Sequence, residues 1–264
     1  MMQQTSGFRI FFMTGAWMVL AFLLLPILVV IPVSLTDTSY IGLPKEELSL
    51  QHYVAYFQDD RWLSATWTSI WVGLVVAVCA TVLGTTFAIG CWFLSNRAST
   101  IARWILITPI LVPPVVQSLG FYRVWVTLGL IDTHGGVILA HTLLALPYVS
   151  ISVFAALANL DPRIPQAARS LGASVWQTVR AVVLPAAKPG MLTGGIFAFI
   201  VSFDEIVGVL FITVRNVSTL PKKIWEGIQE SIDPTIGSVA TMLVMLTIVV
   251  TIITIWRRRD GDLT

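Results

Sequence analysis

The sequence predicts an all-α protein that crosses a membrane several times. Of its 264 residues, 56% are hydrophobic and only 11% are charged, where a soluble domain carries about 25% charged residues. The apolar residues fall in stretches of the length that crosses a bilayer core, for which roughly 20 residues suffice. These stretches are continuous and lack the period-two alternation of a membrane β-barrel.

Apolar windows place six helices over residues 14–35, 66–94, 104–128, 136–158, 191–214 and 237–256, within one transmembrane domain, 1–264. The first window follows Arg9 and has no small-residue cleavage site after Leu35, which predicts a retained anchor rather than a signal peptide. It contains Pro26 and Pro32; the third contains Pro113-Pro114 and the fourth Pro147. Prolines are tolerated in membrane helices and mark kinks there. Cys79 and Cys91 share the second window. Twelve helical residues separate them by about 18 Å, too far for a disulfide, which predicts buried thiols without a redox role. Trp17, Trp62, Trp67, Trp92, Trp104, Trp125 and Trp256 lie near window ends, as an interfacial aromatic belt would. The tail after Arg259 is short, and no soluble domain is expected to follow.

The net charge of +2 says little, but its placement orients the chain. One side holds Arg9, Arg97, Arg103, Arg163, Arg169, Arg180, Lys188, Arg257, Arg258 and Arg259. The other holds Lys45, Arg61, Arg123, Arg215, Lys222 and Lys223, with most of the acids. The positive-inside rule then puts both termini in the cytoplasm and the loops 36–65 and 215–236 outside.

Between the fourth and fifth windows, residues 161–189 form a polar cytoplasmic segment in an apolar chain. Asp161-Pro162 suits a helix start, a cap followed by a first-turn proline. Gly172 suits a C-terminal break, and Ser174 with Gln177 a capping box for a second helix. Leu184-Pro185 is expected to end that helix, and Lys188-Pro189 to lead into the next span. Ala168, Leu171, Val175, Val179 and Val182 recur near helical spacing. Such a pair of amphipathic helices suits either an interfacial rest on lipid headgroups or a docking surface for a protein.

The adjacent Asp204 and Glu205 are the most unusual residues, because a carboxylate within a span costs several kcal/mol, of order 3. Read as mid-helix neighbours about 100° apart, one is expected to face a pathway and the other a helix contact. Asp204 is preferred for the pathway, since Gly208 lies one turn away and clears space. A structural carboxylate, hydrogen-bonded across the bundle, is the other reading, and both stand. The chain has no Gly-x-x-x-x-Gly-Lys-Ser/Thr phosphate loop, no zinc-spaced His/Cys cluster and no HExxH. Of its histidines, His52 and His134 belong to outer loops, and His141, within a span, suits packing or hydrogen bonding better than ligation.

The cytoplasmic segment resembles the signature of permease subunits of binding-protein-dependent ABC importers. That signature runs Glu-Ala-Ala, three residues, Gly, nine residues, Ile, one residue, Leu-Pro. Here it reads Gln166-Ala167-Ala168, Gly172, Val182 and Leu184-Pro185, with correct spacing. Gln166 replaces a glutamate, which loses a charge but keeps hydrogen bonding; Val182 replaces an isoleucine. The chain as a whole is most similar to permeases of the spermidine/putrescine type. Leu146-Pro147-Tyr148, Asp161-Pro162-Arg163, Ser202-Phe203-Asp204-Glu205, Leu220-Pro221-Lys222-Lys223-Ile224-Trp225 and Asp233-Pro234 carry this likeness in order.

The resemblance implies a type I importer fold with a coupling helix formed by Arg163, Gln166, Ala167, Ala168, Arg169, Leu171, Gly172, Ala173, Leu184 and Pro185. Its implied partners are a second permease, two cytoplasmic ATP-binding subunits that bind the ATP and magnesium, and a periplasmic solute-binding protein. This chain is expected to hold no cofactor, metal or nucleic acid and to sit in a bacterial inner membrane. A polyamine cargo would suit Asp204 or Glu205 with Phe203, Tyr122 and Trp125 as aromatic walls; Arg123 argues mildly against a wholly anionic path. Another small amine or an amino-acid-like solute is the alternative cargo. The outer stretch 219–232 reads as an amphipathic helix, and the resemblance makes Trp225, Glu226 and Glu230 a contact for the binding protein. An ion-coupled transporter would call for repeated halves, which the sequence does not show. An intramembrane enzyme would need more than the one carboxylate pair.

Overall fold

A computed structural model of the chain describes residues 6–230 and 233–261. In order, the helices are α1 (Ser6–Ser34), α2 (Gln51–Gln58), α3 (Asp60–Leu94), α4 (Arg97–Leu111), α5 (Pro114–Leu128), α6 (His134–Leu157), α7 (Arg163–Ser170), α8 (Val175–Thr178), α9 (Leu184–Asp204), α10 (Val207–Ile212), α11 (Leu220–Glu230) and α12 (Thr235–Gly261). A π-helical turn, Val179–Val183, joins α8 to α9. Among the described residues five helical stretches are long and apolar enough to cross a membrane, and the bent pair α4–α5 makes a sixth if counted as one span.

The helices group into two compact units, Met1–Leu63 with Ile224–Thr264, and Ser64–Lys223. In the first, α1 packs on α12, where Ser238 and Thr241 donate to the carbonyls of Ser34 and Val30 at 3.3 Å. Tyr53 on α2, a short helix that no apolar window predicts, shares a 2.7 Å hydrogen bond with Ser34. The rest of α1 turns bulky residues such as Phe11, Phe22 and Leu28 outward, as a helix facing lipid does.

In the second unit α6 and α9 meet backbone to backbone. A side chain at Gly194 would run into Val149 Cα at 2.8 Å, and one at Gly190 into the backbone of Ser152 and Val153. Two small residues four apart let helices approach this closely where no hydrophobic effect drives them together. The pair is pinned by His141 Nδ1, 2.9 Å from Ser202 Oγ, the hydrogen-bonding use expected of this histidine. Val72, Val76 and Ala80 of α3 complete the core with Val149, Val153 and Ala198.

Three expectations need correction. The span over 104–128 is not one kinked helix. The chain enters α4 through an Asn96–Ser99 capping box and breaks before Pro114, and α4 and α5 diverge by 105°. Pro113 has no N–H to continue α4; the Gln117 side chain donates to the carbonyl of Pro109 (2.8 Å), which also accepts the Val112 N–H, and to that of Val112 (2.7 Å). The span over 191–214 also breaks, with Glu205 extended (φ −71°, ψ 113°) between α9 and α10. Finally, Leu184-Pro185 ends no helix. The π-turn widens the spiral just before Pro185, whose ring and missing N–H then fit near the start of α9.

The tryptophans divide. Trp17, Trp67, Trp104 and Trp256 are exposed as a belt requires, but Trp62 and Trp125 are buried. Trp62 lies beside Tyr56 (6.3 Å between ring centroids). Trp125 donates from Nε1 to the Gly136 carbonyl at 2.9 Å.

Candidate functional site

The polar segment folds as an elbow. Asp161 Oδ1 accepts from the Arg163 backbone N–H (2.9 Å) and starts α7. Gly172 ends it at φ +93°, a left-handed conformation that disfavours a side chain. The Gly172 N–H reaches the Arg169 carbonyl (3.0 Å) and the Ala173 N–H the Ala168 carbonyl (3.1 Å), the paired bonds of a Schellman stop. Ser174 and Gln177 then exchange backbone-to-side-chain bonds at 2.7 and 3.2 Å to open α8. The corner so formed exposes Ile164, Leu171, Val175 and Trp176, with Leu171 89% exposed. Apolar side chains clustered on a polar, capped elbow suit a protein contact. Of the predicted coupling residues, Arg163, Gln166, Ala167, Arg169, Leu171, Gly172 and Pro185 are exposed, while Ala168, Ala173 and Leu184 are half-buried.

Beyond the corner, Val175–Asp204 is one continuous helical stretch of 30 residues, about 45 Å at 1.5 Å per residue. Unbroken helix therefore joins the elbow to the far end of α9, where the two carboxylates stand. They are not mid-helix neighbours. Asp204 is the last residue of α9, and Glu205 begins the break. Glu205 Oε1 accepts the Gly208 N–H at 2.7 Å, which caps α10. Gly208 thus serves Glu205 and does not clear space for Asp204, the reason first given for preferring Asp204. Glu205 also lines a pocket of ≈130 Å³ inside the α4–α5 bend, with Gln117, Ser118, Tyr148 and Val201. Asp204 is exposed and takes no part in an ion pair among the described residues.

The expected aromatic walls scatter. Phe203 is half-buried and stacks on Phe199 at 5.7 Å, Tyr122 is exposed, and Trp125 belongs to the core. None of the three lines the Glu205 pocket. On α11, Trp225 is exposed and Glu226 half-buried. The side chain of Glu230 and the whole of Ile232 lie outside the described residues.

One residue has no counterpart in the sequence reading. Asp132, at φ +58° in the turn between α5 and α6, accepts the backbone N–H groups of Val214, Arg215, Asn216 and Val217 at 2.9–3.3 Å. Partial burial pushes its carboxyl up, but the N–H groups of Asn216, Val214, Arg215 and Val217 together outweigh this and hold it at about 2. Nearby, Lys222 is buried and donates to Thr213 Oγ1 and the Val214 carbonyl, both at 2.9 Å.

The family of inner membrane components of binding-protein-dependent transport systems matches residues 80–259. The chain belongs to this family. The match contains the elbow, the carboxylate break and most of the helices that position them. Among characterised relatives, the spermidine/putrescine permease PotC of Haemophilus influenzae is 26% identical, over 92% of this chain and 95% of its own. PotC of Escherichia coli K12 is 27% identical, over 91% and 90%. The trehalose permease SugB of Mycobacterium tuberculosis is 29% identical, over 92% and 90%. In solved structures the fold recurs in a bacterial ABC transporter that imports the acidic polysaccharide alginate. There the TM-score is 0.65, at 18% identity, over 98% of this chain and 99% of the other. An amino acid ABC transporter shares it with a TM-score of 0.57, at 19% identity, over 81% and 99%. The fold is that of an ABC importer permease, and this chain is a multi-pass inner membrane permease component.

Proposed function

We propose that this chain is one of two permease subunits in an ATP-driven importer of polyamines. The observation that carries the coupling role is the elbow: a Gln166-Ala167-Ala168…Gly172 corner, stopped at φ +93°, exposes apolar side chains and continues without a break into α9. A separate ATP-binding subunit, which holds the ATP and magnesium, docks there from the cytoplasm, where both termini of this chain also lie. Closure of two such subunits around ATP pushes two elbows together. Each push passes along a stiff helical stretch to its carboxylate break. The outer helix α11, with Trp225, Glu226 and Glu230, receives the solute-binding protein.

The polyamine assignment draws on the spermidine/putrescine relatives and on the division of labour between the carboxylates. Glu205 has a structural task in capping α10 and shaping the pocket. Asp204 ends a membrane-crossing helix exposed and outside any ion pair among the described residues. A carboxylate there needs water or a cation, which suits a path for an ammonium group.

The test is ATP-driven uptake of labelled putrescine and spermidine into proteoliposomes that hold the full assembly and its binding protein, with unlabelled trehalose as a competitor. Asp204→Asn is expected to cut polyamine uptake about tenfold or more, the worth of one desolvated charge contact, while the complex stays assembled. Glu205→Gln, which can still accept the Gly208 N–H, is expected to do less. Trehalose competition, or ATP hydrolysis stimulated by the loaded binding protein without polyamine uptake, would overturn the cargo assignment and leave the permease role.

A further inference from the structure

A second pocket lies behind the elbow and shares Gln166 and Arg169 with it. At the elbow end of the second unit, a hollow of ≈460 Å³ lies between the end of α3, the second turn of α4 and the first turns of α7. Trp92, Phe93, Arg103, Pro165, Gln166 and Arg169 line it. Two arginines and a glutamine are among its lining residues, and no carboxylate is. Neither arginine takes part in an ion pair among the described residues.

Arg103 is held in place. One of its terminal nitrogens donates to the Cys91 carbonyl at 3.1 Å. Its guanidinium lies 4.4 Å from the centroid of the Phe154 ring. Its Nε is buried and has no hydrogen-bond partner. The chain therefore satisfies this guanidinium only in part, and an unsatisfied charged donor is costly. The neighbouring residues on α4, Ile101, Trp104 and Ile105, are all exposed. That is the pattern of a helix face in lipid at the level of the interface.

We propose that this pocket binds the headgroup phosphate of an anionic phospholipid, with Arg103 and Arg169 as its cationic pair and the acyl chains laid along the exposed face of α4. Arginine matches phosphate by paired, charge-assisted N–H bonds, and basic pockets at the cytoplasmic ends of membrane helices hold such headgroups. Gln166 matters here: a carboxylate at that position would neutralise the arginines from within, whereas the carboxamide leaves both charges to the ligand. Because Gln166 and Arg169 belong to α7 and Arg103 to α4, the bound lipid ties the elbow to the corner between α3 and α4.

The test is native mass spectrometry of the full assembly, equilibrated with equal amounts of phosphatidylglycerol and phosphatidylcholine in detergent. The wild-type complex is expected to retain phosphatidylglycerol preferentially. Arg103→Gln should lower that preference about fivefold, the worth of one basic residue near a lipid headgroup. Arg103→Lys should keep most of it, which guards against a folding defect, and Gln166→Glu should lower it. Arg97→Gln, an exposed arginine that does not line the pocket, should leave it unchanged. Equal retention by wild type and Arg103→Gln, or no preference in the wild type, overturns the proposal. Displacement of the lipid by millimolar inorganic phosphate would make the ligand a free anion and overturn the lipid source.

Discussion

Asp132 holds four backbone N–H groups with one carboxylate and so clamps the turn after α5 to the segment that leads into α11. Hydrogen bonds to a charged group are worth about 1.5–3 kcal/mol each when sheltered, and solvent exposure reduces that here. Asp132→Ala is expected to lower the thermal midpoint of the purified assembly by several degrees. The sign of the pH effect follows from the depressed carboxyl, at about 2 against the ordinary 3.8. The stabilisation is complete above pH about 4 and is lost as pH falls towards 2. Thermal unfolding of wild type and Asp132→Asn across that window would check it, with the gap between them closing on acidification. Gln166 and Asp204 act at the same scale. Each is a single side chain, one lacking a charge and the other outside any ion pair among the described residues, and the proposed ligands depend on that difference.

At the scale of elements, the elbow and α9 are joined without a break. The π-turn at Val179–Val183 lets the chain pass Pro185 without losing its helix, so one helical stretch runs from α8 to the carboxylate break. Gly172 sets the corner angle. A Cβ there would meet nothing within 4 Å, so Gly172→Ala is disfavoured by its backbone conformation alone, by about 1–2 kcal/mol. We expect this variant to insert and assemble normally yet transport several-fold more slowly, and Gly172→Trp to abolish transport. Normal uptake by Gly172→Trp, measured beside membrane abundance, would remove the elbow from the coupling mechanism. At the bend between α4 and α5, the Gln117 side chain donates to the Pro109 carbonyl, which Pro113 has no N–H to reach, and to that of Val112.

For the whole molecule, the elbow's exposed apolar corner is where the proposed ATP-binding subunit would dock. Leu171→Asp or Trp176→Asp is expected to leave the chain in the membrane while the ATP-binding subunit no longer co-purifies, because a charge buried at an apolar contact costs several kcal/mol. Retention of a stoichiometric ATP-binding subunit by both variants would place the docking surface elsewhere.

What the sequence determined by itself is what local chemistry controls. The apolar runs specify helices in lipid wherever they occur. The glycine at 172 and the Ser174–Gln177 pair specify the elbow, because a left-handed stop and a capping box depend on neighbours a few residues apart. What only the tertiary structure decided is everything that depends on residues distant in the chain. Asp132 is an ordinary acid until the segment 214–217, some 80 positions later, folds onto it. Gly190 and Gly194 become a helix contact only when α6 lies against them, although their spacing of four was a readable hint. Trp62 and Trp125 share the composition of an interfacial belt and are buried because of what packs over them. Asp204 and Glu205 look equivalent in a continuous helix. They separate because the backbone breaks between α9 and α10, and the break gives one of them a capping bond and leaves the other exposed.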